Sequence, residues 1–472
     1  MVRWVRTMPA VFLLLGLSFG TWLSRLPAVR DRLDASTLEM SIYGLCLAAG
    51  SVIGLIVSGR TVQRLGTKRA LVVMGLGQVV ALPAAVAIIL SGAIPLGLAV
   101  LFLYGFAFAT ADVAMNVSGA NAERAFGRAR MPLMHAGYSV GTVVAMGLGA
   151  LAEAVGVAPE PHFLVVFGAI GIGLIVLQRA IPRDEQGLRE RAERRASGSA
   201  TADPGQRSTG DRDAAHAGSP ADAEAPQGSL GAADALDVTG AIPVVESSAG
   251  RQPAFTTLTG SIPVVGDGPI VGGSGSPTRP GRSPWRDGRV LLIGLIALAA
   301  GVVEGTAADW LPLALVDGRG VANETGAIML GVFFASIMTV RLIGSWLLNR
   351  FGRVPVVRAS ALLATLGILI VILVPGLPGI VLGTIIWGLG SGLGWPIAIS
   401  ASADRTATAT RDVAAVSALG YGSMLVGPMA FGVLGEVIGL LTAFWALLAF
   451  TLLIALIAGA ARELGSAPSR NR

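Results

Sequence analysis

Cysteine, histidine, lysine and charge of either sign are all scarce in this chain of 472 residues. Its one cysteine, Cys46, excludes a disulfide framework, a cysteine zinc site and a Cys-x-x-Cys redox pair. The histidines are His135, His162 and His216, too widely separated to suggest a metal site. Lys68 is the only lysine, so arginine carries nearly all the positive charge. Charged residues make up 14% of the chain, where a soluble protein has about 25%. Apolar types reach 53% and the mean hydropathy is +0.70. Length alone would suggest several soluble domains, but the recurrence of long apolar stretches identifies an all-α polytopic membrane protein. The net charge of +6 is a matter of membrane topology, and no nucleic-acid partner is implied.

Twelve stretches reach the ~20 mostly apolar residues that a spanning helix needs. They are 8–26, 38–58, 70–90, 96–118, 132–153, 161–181, 289–315, 325–348, 355–374, 378–401, 412–436 and 438–461. The first is too long for a cleaved signal and continues into Trp22-Leu23-Ser24-Arg25 without a small-residue cleavage site. Arginine-rich segments mark the cytoplasmic side. With the N-terminus inside, the outer segments hold only Arg25, Arg30, Arg32 and Arg319, so both termini are expected in the cytoplasm. Residues 183–287 contain no span and hold 11 Arg against 14 Asp plus Glu, a net charge of −3. Rich in Gly, Ala, Ser and Pro, they are expected to form a disordered cytosolic insert, with Gly187 to Arg195 briefly extending the sixth helix. Within it Thr239-Gly240-Ala241-Ile242-Pro243-Val244-Val245 recurs as Thr259-Gly260-Ser261-Ile262-Pro263-Val264-Val265. The pair reads either as a duplicated docking motif for a cytosolic partner or as drift in a low-complexity linker. The expected organisation is a six-helix bundle over 1–182, the insert over 183–287, a second six-helix bundle over 288–462, and a cytosolic tail over 463–472.

The chain repeats itself across the insert. Gly20-Thr21 with Leu26-Pro27 recurs as Gly305-Thr306 with Leu311-Pro312, and Gly59-x-x-x-Gln63-Arg64-Leu65-Gly66 as Ser345-x-x-x-Asn349-Arg350-Phe351-Gly352. Asn121-Ala122-Glu123-Arg124 recurs as Ser402-Ala403-Asp404-Arg405. Gly137-Tyr138, Gly149, Leu151, Glu153 and Gly156 recur as Gly420-Tyr421, Gly432, Leu434, Glu436 and Gly439. Four matches in order, at offsets between 281 and 286 residues, indicate duplication of a six-helix unit. Both copies start inside, so the repeat is parallel, an arrangement found in secondary transporters with the substrate site at midplane between the halves.

The segment Gly59-Arg60-Thr61-Val62-Gln63-Arg64-Leu65-Gly66-Thr67-Lys68-Arg69 resembles the loop signature between helices 2 and 3 of the major facilitator superfamily, and its echo between helices 8 and 9 is also typical of that group. The resemblance implies a gating role for Gly59, Gln63, Arg64, Gly66, Lys68 and Arg69. One departure stands out: the signature carries an acid where this chain has Gln63, and the second copy has Asn349. Trp22-Leu23-Ser24-Arg25-Leu26-Pro27, Asp112-Val113-Ala114-Met115-Asn116 and Glu304-Gly305-Thr306-Ala307-Ala308-Asp309-Trp310 look like a bacterial inner-membrane branch related to the fucose–proton symporter. In that symporter a membrane-embedded carboxylate of helix 4 precedes an Asn by four residues, as Asp112 precedes Asn116 here. The resemblance places the protein in a bacterial cytoplasmic membrane.

Residues shared by both halves are expected to serve architecture. Gly137, Gly141, Ala145 and Gly149 recur every four residues, a smooth stripe for close helix approach; Glu153 and Glu436 fall near the outer ends of the fifth and eleventh spans and are read as interfacial. The unmatched ionisable residues are the functional candidates, because burying one in a bilayer costs roughly 2.5–3.5 kcal/mol on insertion scales. Asp112, His135, Glu304, Asp309 and Arg341 lie within predicted spans, opposite apolar or small residues of the other repeat. Asp112 and His135, on consecutive antiparallel helices, are placed to meet near the cytoplasmic end, either as a titratable unit for proton coupling or as a static bond closing that end. Glu304 falls close to midplane and is the best-placed carboxylate for substrate or proton. Asp309 and Trp310 lie nearer the outside, where an aromatic beside a carboxylate suits a sugar and where interfacial aromatics also collect. Arg341 stands either to neutralise Glu304 or to bind an anionic substrate. Trp22 and Arg25 sit in the outer vestibule or at the lipid interface; Asn116, Tyr138 and Tyr421 complete the candidate substrate set.

These features predict a monomeric secondary active transporter that moves a small polar, sugar-like solute with protons by alternating access. No enzyme activity, cofactor or metal is expected, and residues 59–69 lack the Gly-Lys-Ser/Thr ending of a phosphate-binding loop. Two rivals are a drug–proton antiporter and a non-transporting scaffold or sensor acting through the insert. Antiporters of that kind resemble one another through a Gly-Pro motif in helix 5; here that helix has Ala145-Met146-Gly147, and Gly427-Pro428 lies in the eleventh span.

Overall fold

The computed structural model describes residues 2–126, 130–183, 283–405 and 408–464. Residues 184–282 of the predicted insert, with both heptapeptide copies, and the last residues of the tail lie outside the described residues. What is described is helical throughout. The first half comprises α1 (Val2–Ser24), α2 (Leu26–Leu33), α3 (Thr37–Leu65), α4 (Thr67–Leu90), α5 (Ile94–Phe126), α6 (Met131–Ala154) and α7 (Pro159–Leu177). The second comprises α8 (Gly288–Arg319), α9 (Asn323–Phe351), α10 (Arg353–Leu373), α11 (Leu377–Ser391), α12 (Gly394–Ser402), α13 (Ala409–Ile438), α14 (Leu440–Ala443) and α15 (Leu447–Ile457). Twelve of the described segments are long and apolar enough to cross a membrane. They coincide with the predicted spans to within a few residues at most ends. The short α2 crosses nothing, α11 and α12 share one span, and α14 and α15 share the last.

The two halves pack alike. In the first, α1 lies on α6, α5 on both α3 and α4, and α4 on α7; in the second, α8 lies on α13, α11 on both α9 and α10, and α10 on α15. Between the halves α6 meets α9 and α3 meets α13, again a repeat-related pair. Large apolar side chains such as Ile56, Val80, Leu164, Ile172 and Leu456 point outward, as a lipid-facing surface requires.

The predicted small-residue stripe explains the α1–α6 contact. A Cβ on Gly141 would stand 2.1 Å from the Leu13 carbonyl oxygen, and one on Gly137 2.4 Å from that of Pro9. Only a backbone without side chains permits that approach. The predicted gating loop is almost wholly helical, which corrects its description as a loop. Gly59 to Leu65 complete α3 and Thr67 to Arg69 begin α4, so Gly66 alone forms the joint, at φ 78°. Gly352 repeats the joint between α9 and α10 at the same φ. Glycine suits the position because positive φ crowds any Cβ.

The helix ends define two faces. The termini face carries residues 3, 66, 183, 287, 352 and 462; the opposite face carries 25–36, 91–93, 155–158, 320–322 and 439. At the termini face Glu123 and Asp404, equivalent in the repeat, clamp helix ends. Glu123 accepts from the amides of Arg130 (2.5 Å) and Met131 (2.6 Å) at the start of α6. Asp404 pairs with Arg289 (2.9 Å) and Arg353 (2.8 Å), tying α8 to α10.

Candidate functional site

A cavity of about 220 Å³ lies between the halves, walled by α1, α3, α5 and α6 on one side and by α8, α9, α12 and α13 on the other. It collects the ionisable residues that the repeat left unmatched, with one exception. Asp112, His135, Glu304 and Arg341 all line it, as do Tyr138 and Tyr421. Asp309 does not.

Glu304 and Arg341 form a salt bridge. The Arg341 Nη2 lies 3.1 Å from one Glu304 oxygen and 3.2 Å from the other. Its Nε donates to the Gly392 carbonyl at 3.0 Å. That carbonyl is free because the tenth span breaks there: α11 ends at Ser391 and α12 begins at Gly394. An interrupted spanning helix supplies polar backbone to a cavity at membrane depth, where lipid-exposed backbone could not be tolerated. The run Gly388-Leu389-Gly390-Ser391-Gly392-Leu393-Gly394-Trp395-Pro396 carried the signal for the break, and sequence reasoning passed over it. Trp395, just beyond the break, packs on Tyr421 with ring centroids 5.4 Å apart.

Across the cavity Asp112 is 4% exposed, and its Oδ1 has no hydrogen-bond partner. The Tyr138 hydroxyl is likewise buried without a partner. A buried polar atom left unsatisfied costs about 1–3 kcal/mol, so these two are where a bound group gains most. The expected meeting of Asp112 with His135 does not occur: neither a hydrogen bond nor an ion pair joins them. The cause is the length of α5, which continues to Phe126 rather than ending near 118 and leaves Asp112 fourteen residues from its termini-face end. His135 is the fifth residue of α6 and sets its ring edge-on to Phe12, at 5.1 Å. The two residues share a cavity wall without sharing a proton.

The remaining predicted residues fall elsewhere. Asn116 donates to the Asp112 carbonyl at 2.9 Å and does not line the cavity. Trp310 is 2% exposed in the core near the opposite face, Trp22 stacks on Phe163 at 6.4 Å, and Asp309 stands one residue before Trp310. Arg25 is 1% exposed, paired with Glu153 at 2.6 Å and donating to the carbonyls of Gly149 and Val157. It is a structural clamp within its own half, held through its two terminal nitrogens. Lys68 donates to the Ile181 carbonyl at 2.7 Å beyond the end of α7; Gln63, Arg64 and Arg69 are exposed around the Gly66 joint. The sequence also gave no notice of Phe19, Phe108 and Phe334, which line the cavity and pack on one another, Phe19 lying 5.9 Å from Phe108 and 6.2 Å from Phe334. Apolar residues inside an apolar span carry no periodic mark that separates a cavity wall from a core. The serines and threonines nearby offer less than their number suggests. Ser51, Thr142 and Ser423 donate to backbone carbonyls.

The family model described as Major Facilitator Superfamily matches residues 123–414 and 293–471. The chain belongs to the Major Facilitator Superfamily. An uncharacterised transporter of Sinorhizobium fredii, y4wD, is 29% identical over 457 residues, covering 96% of this chain and 97% of its own. An uncharacterised MFS-type transporter of Yersinia pestis is 22% identical over 96% of this chain and 94% of its own. Among solved structures, the nucleoside transporter NupG superposes with a TM-score of 0.64 at 12% identity, over 97% of this chain and 98% of that one. The human organic anion transporter MFSD10 gives 0.54 at 13%, over 97% and 99%. Both structures share the fold. Membership of this superfamily makes the chain a secondary transporter of small molecules in a lipid bilayer, not an enzyme.

Proposed function

We propose that this protein is a proton-coupled symporter of a small polar, sugar-like solute, lying in a bacterial cytoplasmic membrane with its termini face toward the cytoplasm. One observation carries the reading: Asp112 is a buried carboxylate that lines the cavity, and its Oδ1 has no hydrogen-bond partner among the described residues. A carboxylate so placed is stable when protonated or when it binds a donor, and it is destabilised when left bare. A solute oxygen that accepts from the protonated acid is held only with the proton in place, so through that bond proton and solute favour one another's binding. Glu304 and Arg341 act differently. Each neutralises the other, so the C-terminal wall holds fixed polar groups that orient the solute through hydrogen bonds. The rings of Phe19, Tyr421 and Trp395 supply faces for stacking a sugar's C–H surface, the part first assigned to Trp310. The resemblance of the Asp112 and Glu304 segments to the fucose–proton symporter branch supports the same reading.

The apolar aromatic wall also favours a second reading, in which Asp112 holds an amphipathic cation that is exported against protons. Proteoliposomes in light buffer distinguish the two. Sugars, sugar acids, nucleosides and amphipathic cations are added in turn, and external pH is followed for wild type and Asp112→Asn. Symport predicts alkalinisation outside with one solute class, reduced at least tenfold in Asp112→Asn. Acidification outside on adding a cation to vesicles with an acidic interior, as protons leave in exchange for it, would support the antiport reading. A response that survives Asp112→Asn would remove Asp112 from the coupling.

A further inference from the structure

Four hydrogen bonds join the two halves among the described residues, and all four lie at the opposite face. The Leu38 amide donates to Glu436 Oε2 at 3.0 Å. The Asn323 side chain donates to Glu153 Oε1 at 3.2 Å and to Asp31 Oδ2 at 2.8 Å. Arg30 donates to Asp317 at 2.5 Å. Two of these bonds are related by the repeat. Glu153 ends the fifth span and Glu436 the eleventh, at an offset of 283 residues. Each reaches the first turn of a helix in the other half. Leu38 is the second residue of α3, and Asn323 is the first residue of α9.

The first amides of a helix have no partner within it, and the helix dipole makes that end attractive to a carboxylate. In α3 the Ser36 hydroxyl takes the Glu39 amide at 3.2 Å, and the Leu38 amide is left for Glu436. In α9 the N-cap residue is Ala322, which offers no side-chain cap, so Glu153 meets this end through the Asn323 amide group. The two contacts fall within one residue of each other in helix register, and the bonded atoms differ. The Ser41 side chain packs directly on the Gly432 backbone nearby: a Cβ on Gly432 would lie 1.4 Å from the Ser41 Oγ. Arg25 fixes the other Glu153 oxygen at 2.6 Å, which keeps that carboxylate aimed.

We propose that Glu153 and Glu436 are a reciprocal pair of gate residues: each half closes the opposite face by capping a helix of the other, and transport requires both caps to be released. The proposal concerns the alternation itself and is independent of solute and coupling ion. Gln63 and Asn349 leave the Gly66 and Gly352 joints without the acid that the loop signature carries, whereas Glu153 and Glu436 each reach across to the other half at the opposite face.

The test is a distance measurement between spin labels on Ala158→Cys and Val321→Cys, in full-length protein carrying Cys46→Ser and reconstituted without solute. The parent should show mainly the short distance of the closed face. Glu153→Ala/Glu436→Ala should move at least a third of the population to a longer distance, and Glu153→Gln/Glu436→Gln, which keeps an acceptor oxygen, should move less. Asn323→Asp supplies a second route that leaves a good residue in the first turn of α9 but sets a third carboxylate against Asp31 and Glu153; it should open the face as the double alanine variant does. Distance distributions unchanged in both the double alanine variant and Asn323→Asp, with melting temperatures near the parent's, would overturn the proposal. Solute-dependent pH change is recorded on the same samples. Its absence in the parent would count against the proposed symport while leaving the gate result to stand.

Discussion

Arg341 shows how much of this site rests on single side chains. Its guanidinium spans from Glu304 on α8 to the Gly392 carbonyl at the helix break, so it holds together three elements of the second half. Removing one member of a buried pair leaves the other uncompensated, which costs 3–5 kcal/mol where burial is complete. Both side chains here are about one-sixth exposed, at 15% and 16%, so Arg341→Ala should lose roughly 2–3 kcal/mol on that scale. Glu304→Gln/Arg341→Gln should recover part of it, and thermal unfolding in detergent measures both. Asp287 makes the same point at the termini face. It caps α8 by accepting from the amides of Arg289 and Val290 and is ion-paired with Arg405. The hydrogen bond from Arg405 holds its carboxyl below the ordinary range, against the opposing effect of burial. A depressed folded-state pKa contributes stability above the unfolded value, near 3.9, and that contribution fades as pH falls through the folded value. Asp287→Ala should therefore cost about 1 kcal/mol at pH 7, and the gap between variant and parent should narrow progressively in melts taken at pH values lowered beneath the unfolded value.

At the scale of helices, the contacts that matter are those where backbone meets backbone. Gly141→Leu would drive a side chain into the α1 carbonyls, and overpacking of that kind costs typically 1–3 kcal/mol; a lowered melting temperature with no change in proton coupling per solute is the expected signature. Most of this level was legible beforehand. Hydropathy placed the spans, the four-residue stripe announced a close helix approach without naming its partner, and the repeat singled out Glu153 and Glu436 as shared. Two elements were misjudged for physical reasons. The end of α5 was placed too early because Asn121-Ala122-Glu123-Arg124 looks polar, whereas Asn121 and Ala122 are buried and Glu123 caps the next helix. The joint at residue 66 looked like a loop because basic residues cluster there, although one glycine with positive φ suffices to turn the chain. Position along the chain puts Trp22 and Arg25 in the outer vestibule or at the lipid interface, and Trp310 against a solute or in the interfacial belt, whereas direction around the helix buries all three. The unmatched charges Asp112, Glu304 and Arg341 were legible because a bilayer penalises them wherever they have no use.

For the whole molecule, the two halves are nearly equivalent in packing and unequal in chemistry. One wall of the cavity bears an unpartnered carboxylate, and the other bears a neutralised pair. Binding and coupling are thus argued to be divided between repeats that share a scaffold. The chain between the halves is proposed to play no part in that division, so deletion of residues 190–280 should leave solute uptake within about twofold of the parent. Loss of uptake with a folded protein would favour the scaffold or sensor reading. The cap on α3 has a consequence for observing the cycle. The Leu38 amide is protected from solvent by a carboxylate of the other half, not by its own helix, so its hydrogen–deuterium exchange clocks the separation of the halves. A peptide containing Leu38 should take up deuterium faster in any condition that opens the opposite face, and slower in any that closes it, with no label attached to the protein.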